Sequence, residues 1–402
     1  MSRDKRDSIM LTDITHYSKT NGVSYELTSA DSDNESGHNI HFEHDIESLP
    51  PLASFKVTSF DVFFNFIVII IVGLEFTCNV ACVVILYNNG YWATGFTLGF
   101  ILIGTFALLA HFWTIPQETL NHVYGNGKVV RILVNAFPHL ALFITVFECT
   151  RVCFKCKETP VAIPQYIKLD ELSRSFLKVY SFACSAPIAV LQLINLIVLV
   201  EEHGHGVTET VLVLTVILNL TTMMVGNLPG KYENSDELPK AAYIPGSRVF
   251  VGLRMSSSFG SRTMSLAYLF VCFKCIGENF LNLQQEISYL IPLALVLVPR
   301  FVITIVQYVV GRCKGKTRPK RFTSVLIGYI ATVFFPFGDP PWVFWYIHIE
   351  TFVFALFGVI SFFIVECGVN GIFNSGYFVL FLVLYFVVPC LIPYLRHRVN
   401  KS

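Results

Sequence analysis

The residues best placed to do chemistry in this chain are charged and amide side chains set inside long apolar runs. Asp61, Asn65, Glu75 and Asn79 interrupt the first such run. At 100° per residue of an α-helix they fall at about 0°, 40°, 320° and 0°, an arc of roughly 80°. Asp61 and Asn79 stand about 27 Å apart along the axis, close to the thickness of a bilayer's hydrocarbon core. One face of this helix therefore reads as a polar ladder, whose side chains could replace water around a charged group crossing hydrocarbon. The competing reading is an interfacial Asp61 and a buried ion pair at Glu75. The fourth run repeats the pattern more weakly: Lys178, Ser181, Ser185 and Gln192 share one arc, with Pro187 expected to kink the helix among them. Ordinary hydrogen bonding between helices accounts equally for its Ser and Gln. Ahead of and within the sixth run, Arg254, Ser258, Ser261, Arg262 and Ser265 share about 100° of arc. Arg262 is the natural countercharge for Glu75 or for a lipid phosphate. Glu350, midway along the ninth run, suits a pairing as well as a path.

Other motifs fail on spacing. Gly311 to Thr317 has three residues between its glycines where a phosphate loop needs four. Cys153-x-x-Cys156, with Cys149 and His139 nearby, lacks the second ligand pair of a zinc site. Asn219-Leu-Thr is a glycosylation sequon inside a span. No Ser/His/Asp or paired-carboxylate arrangement makes an active site, so the sequence points away from an enzyme and calls for no cofactor or metal.

The elements that must hold these side chains follow from composition. Of 402 residues, 53% are hydrophobic and only 14% charged. A soluble domain carries about 25% charge, so this composition excludes an ordinary soluble enzyme or a nucleic-acid binder. Residues 1–50 hold four basic against ten acidic residues and no apolar periodicity, which reads as a disordered acidic tail over 1–55. No N-terminal apolar segment reads as a signal peptide. Ten apolar segments follow, near 60–87, 91–113, 129–148, 176–200, 210–226, 258–277, 288–310, 322–337, 341–365 and 376–395. Those of about 20 residues can span a bilayer as helices.

Loop charges decide which of them cross. The stretch 151–178, the loop 311–321 and the C-terminus 396–402 are basic and belong in the cytosol. The stretches 201–209, 277–287 and 366–375 hold Glu without Lys or Arg and belong outside. Only one simple count satisfies every loop: the third and eighth segments, which contain Pro138 and Pro336, enter and return. The expected fold is an all-α polytopic membrane protein with eight transmembrane helices plus two re-entrant helices and both termini cytosolic. The crossing pattern repeats, suggesting two pseudo-repeated halves at 56–226 and 258–395 joined by a cytosolic linker over 227–257. Cys275 and Cys367 lie nearest the outer surface, either bridged or as two free thiols; the other cysteines read mostly as buried small hydrophobes.

At this point the chain resembles the XK-related (Kell blood group precursor-like) family of membrane proteins. Tyr91-Trp-Ala-Thr-Gly-Phe-Thr-Leu98 is similar to that family's aromatic start of its second helix. Ser185-Ala-Pro-Ile-Ala-Val-Leu-Gln-Leu193 resembles its Ser-Ala-Pro helix, and Ser261-Arg262 and Glu350-Thr351 match further motifs. Tyr180, Cys184 and Ile188 depart from the acidic and Gln residues usual there. The resemblance implies a plasma-membrane protein of eight spans and two re-entrant helices. Family members include caspase-activated phospholipid scramblases that expose phosphatidylserine in apoptosis, and others that partner single-pass glycoproteins or lipid-transfer proteins. It further implies a lipid pathway in which Asp61, Glu75, Asn79, Arg262 and Glu350 take part; with Asn65, Ser185 and Gln192 from the polar faces read above, these make up the expected pathway. A caspase would need a cleavable segment; the acidic tail offers Asp31, Asp33 and Asp45, the first two followed by small residues. A solute transporter, or a scaffold that recruits a lipid-transfer protein through the basic loop 311–321, are the rival expectations.

Overall fold

Thirty consecutive residues from Ser59, without proline and with apolar side chains on every face but one, form the first helix, α1 (Ser59–Asn88). The computed structural model of the chain describes residues 59–89, 91, 93–156, 162–203, 207–228, 245–279, 285–313, 333 and 341–365, and parts of 379–391. After α1 come α2 (Ala93–Trp113), two short helices α3 (Gln117–Tyr124) and α4 (Gly127–Ala136), and α5 (Leu140–Cys156). There follow α6 (Ile163–Tyr180), a π-helical turn at Ser181–Ser185, α7 (Ala186–His203) and α8 (Val207–Asn227). The second half has α9 (Pro245–Asn279), α10 (Gln285–Cys313), α11 (Pro341–Val365) and a π-helical turn at Val383–Val387. No strand occurs among the described residues.

Among the described residues, four helical stretches are apolar and long enough to cross a membrane: Asp61–Asn88, Ala93–Trp113, Gln165–Val198 and Thr208–Asn227. The lateral surfaces of α1, α2 and α8 agree, while Gln165–Val198 is mostly buried among them. Phe63, Phe66, Ile70, Leu74, Val80 and Val84 stand exposed along one side of α1, while its polar residues are turned inward. Water would demand the reverse; this distribution suits hydrocarbon outside. The chain is a helical membrane protein.

Several boundaries differ from the sequence reading. The third segment, expected at 129–148, is divided at Pro138: α4 ends at Ala136 and α5 continues to Cys156. Proline at 138 has no N–H for helix bonding, which ends the first piece. The fourth helix begins at Ile163, so most of the stretch read as a cytosolic loop is helical. Its Arg174 is buried, paired with Asp170 through two 3.0 Å bonds, and donates to the Leu228 carbonyl at 2.7 Å. The expected kink takes the form of the π-helical turn, in which the Ala186 N–H bonds five residues back to the Ser181 carbonyl. A wider turn makes room for the ring of Pro187 against the preceding carbonyls. In the second half α9 begins at Pro245, inside the stretch read as a linker.

Helix directions follow from pairing order. Thr97 meets Gln192, Gly104 meets Cys184 and His111 meets Ser175, so α2 runs antiparallel to the α6–α7 rod. Glu75 meets Thr222 and Asn79 meets Asn219, so α1 and α8 are antiparallel. In the second half Arg262 meets Thr351 and Cys272 meets Gly358, which makes α9 and α11 parallel. Close crossings use small residues. A Cβ on Gly226 would stand 2.9 Å from the Leu177 backbone, so α8 can cross α6 at that height only as glycine.

Candidate functional site

A helix with one polar face in a membrane must bury that face, and α1 does so against α5, α6, the π-helical turn and α8. Asp61, Asn65, Glu75 and Asn79 are all buried, Glu75 and Asn79 completely. Asp61 lies beside Cys153 and Tyr166. Asn65 Nδ2 donates to Tyr166 Oη at 3.5 Å. Glu75 is held from two helices at once: Ser185 Oγ donates to Oε1 at 2.7 Å and Thr222 Oγ1 to Oε2 at 2.6 Å. One turn further, the amides of Asn79 and Asn219 bond each other reciprocally at 3.4 and 2.9 Å. The second Asn219 amide hydrogen goes to the Thr215 carbonyl at 2.7 Å. Gln192 extends the polar line across the rod, donating to Thr97 Oγ1 at 2.8 Å and accepting from Asn195 Nδ2 at 2.9 Å.

Sequence reasoning offers Arg262 as the countercharge of Glu75 or of a lipid phosphate, and the structure corrects the first of these. Arg262 stands in the second half, fully buried, and its fork is spent there. Its Nη2 donates to Glu350 at 2.6 Å, Nη1 to Thr351 at 3.0 Å and Nε to the Val333 carbonyl at 2.7 Å. Arg300 reaches the same Glu350 oxygen at 2.5 Å, and Tyr346 Oη donates to the other at 3.1 Å. The guanidinium groups also lie over aromatic rings, Arg262 over Phe354 at 5.7 Å and Arg300 over Tyr346 at 5.0 Å. Parallel α9 and α11 explain the choice: Arg262 and Glu350 sit at one height on touching helices, where a planar fork meets a carboxylate well. Glu75 has no part in any ion pair among the described residues.

The eight expected pathway residues thus divide into two buried groups, a spine in the first half and an ionic cluster in the second. Asp31, Asp33, Asp45 and Cys367 lie outside the described residues. Cys275 is disulfide-bonded. Cys149, Cys153 and Cys156 are buried free thiols packed with Val62, Tyr166 and Leu169.

Sequence reasoning missed the answering half of the spine. Thr215, Asn219 and Thr222 fall within about 60° on α8, so the helical wheel that finds the ladder on α1 finds its partner too. Read as a sequon alone, Asn219 gives no hint of that role. Arg300, a cation following Pro299 in an apolar run, is equally visible as an intramembrane charge in need of an acid. Tyr166 carries no signal, because its partner Asn65 is 101 residues away.

No family model, characterised protein or solved structure matches this chain.

Proposed function

We propose that this chain is a phospholipid scramblase that moves lipids between leaflets without an energy source. The observation that carries the reading is the spine: polar rungs over about 27 Å of α1, answered from facing helices. A headgroup crossing about 30 Å of hydrocarbon needs such a file of substitutes for water, and a binding site alone does not. Because the rungs are buried, the conformation is a closed one, and lipid movement requires α1 to part from α8 and the α6–α7 rod. A regulated protein follows, with the acidic tail as the part a caspase would remove at Asp31 or Asp33. The similarity to XK-related proteins in the Ser185 and Arg262 motifs favours the same reading.

Eight spans, two re-entrant helices, cytosolic termini and a plasma-membrane location belong to this proposal. The antiparallel and parallel helix pairs agree with the crossing count, and the break at Pro138 suits an entering and returning segment. Disulfides persist in oxidising compartments, so the bonded Cys275 favours an outward end for α9.

The test is the purified chain in liposomes carrying fluorescent lipid in both leaflets, quenched from outside with dithionite. Full-length protein and protein lacking residues 1–45 are compared. Loss of fluorescence well beyond the outer leaflet's half, faster after tail removal, supports the proposal; arrest at half for both overturns it. One observation favours a solute transporter instead: Glu75 meets Ser185 at a π-helical turn, and transporters bind at interrupted helices.

A further inference from the structure

We infer that Glu75 is a proton-binding site: the carboxyl is protonated in the closed chain at neutral pH, and its proton fastens α1 to the π-helical turn and α8. The inference does not depend on what the protein moves across the membrane.

Glu75 is wholly buried, midway along an apolar helix, and takes part in no ion pair among the described residues. Glu350, by comparison, keeps two guanidinium groups. A lone carboxylate at that depth is expensive, and such groups take up a proton or hold a cation. Spacing disfavours a cation shared with the hydroxyls. The hydroxyl oxygens stand 2.6 and 2.7 Å from the carboxyl oxygens, hydrogen-bond lengths with each hydroxyl's own proton between the pair. Oxygens that share a metal ion at roughly 2.3–2.6 Å from it sit further apart, at about 3.3 Å or more.

The acid proton has somewhere to go. Ser and Thr hydroxyls both donate and accept, and they rotate. On the same helices Thr215, Thr221 and Ser181 donate to the carbonyl four residues back, at 2.7, 2.7 and 2.6 Å. Thr222 can turn its hydrogen to the Leu218 carbonyl in the same way and accept the Glu75 proton on Oγ1. One proton enters, one hydroxyl rotates, and every oxygen keeps its partner.

The ionisable neighbours are few and none is a cation fixed on Glu75. On α1 it is Cys78; from α6 and the π-helical turn, Tyr180 and Cys184. His139, between α4 and α5, lies tilted against Phe76, ring centroids 4.6 Å apart. On α2, His111 is engaged with Ser175 at 2.7 Å. The facing part of α8 offers only Asn219 and Thr222.

Infrared spectroscopy of the full chain in lipid nanodiscs reads the proton directly. A protonated-carboxyl carbonyl band is expected at neutral pH, shifted by deuterium, lost on alkalinisation and absent from Glu75→Gln. It should be the same in sodium and in choline buffers. Thr222→Val, which keeps the carboxyl and removes one partner, should shift the band and leave its intensity. A neutral-pH spectrum with no such band, in wild type and Thr222→Val alike, overturns the inference. So does a band that appears only when sodium is removed, which would make the site a sodium site.

Discussion

At the scale of single residues, the two polar groups respond differently to mutation because one is ionic and one is not. Arg262 spends Nη1, Nη2 and Nε on three partners. Truncation to alanine takes one of the two guanidinium partners of buried Glu350 and leaves it to Arg300 and Tyr346. Breaking a buried pair from one side costs about 3–5 kcal/mol, which is the upper bound here because Arg300 stays. Arg262→Ala is therefore expected to lower the thermal midpoint in detergent sharply and to reduce yield, and Arg262→Lys rescues only part, since one ammonium cannot reproduce the fork. A stable Arg262→Ala protein with slowed lipid movement would instead place Arg262 on a path. The Asn79–Asn219 pair is neutral, and hydrogen bonds between helices in membranes are worth about 0.6 to 2 kcal/mol. Asn79→Leu should cost an amount in that range, and Asn79→Leu with Asn219→Leu should recover most of it, because no amide is then left unmatched. Equilibrium unfolding of the single and double variants in mixed micelles gives the coupling energy. Additive losses would mean that the two amides do not act as a pair.

At the scale of elements, the crossing of α8 over α6 rests on the bare Cα of Gly226. A methyl group there would meet the carbonyl carbon and oxygen of Leu177 at 2.9 and 3.0 Å, and backbone does not swing aside. Gly226→Ala should destabilise by about 1–3 kcal/mol through overpacking, visible as a fall in thermal midpoint. Gly99, with nothing near its Cβ position, should accept alanine without that loss. These contrasts show what was legible beforehand. Asp61, Asn65, Glu75 and Asn79 can be assigned to one face because a helix's own period fixes relative direction within 30 residues. Pro187 announces a distortion in the rod, and the structure supplies its form as a π-helical turn. The partners cannot be read the same way. Whether Arg262 reaches Glu75 or Glu350 depends on which helices touch, and α9 packs on α11, whose register no local pattern records. Charge sign alone makes Arg262 and Glu75 a pair; packing does not.

At the scale of the molecule, the bonded Cys275 gives a means of testing orientation. An impermeant maleimide added to intact cells should leave Cys275 unlabelled until a reductant is supplied and label it afterwards. Labelling without reduction would deny the bond, and no labelling after reduction would put that end of α9 on the cytosolic side. A further property concerns length. The stretch Gln165–Val198 is one 34-residue rod, about 51 Å, against hydrocarbon of about 30 Å. Tilts seen in membranes reach about 40°, which would still leave about 39 Å to house. Some of the rod must therefore stand clear of the hydrocarbon, and the end carrying the Asp170–Arg174 pair is the polar one. The π-helical turn at Ser181–Ser185, where Ser185 holds Glu75, lies on the same rod between that polar end and α7. Whatever binds the polar end outside the hydrocarbon therefore touches the same helix that holds the carboxyl inside it.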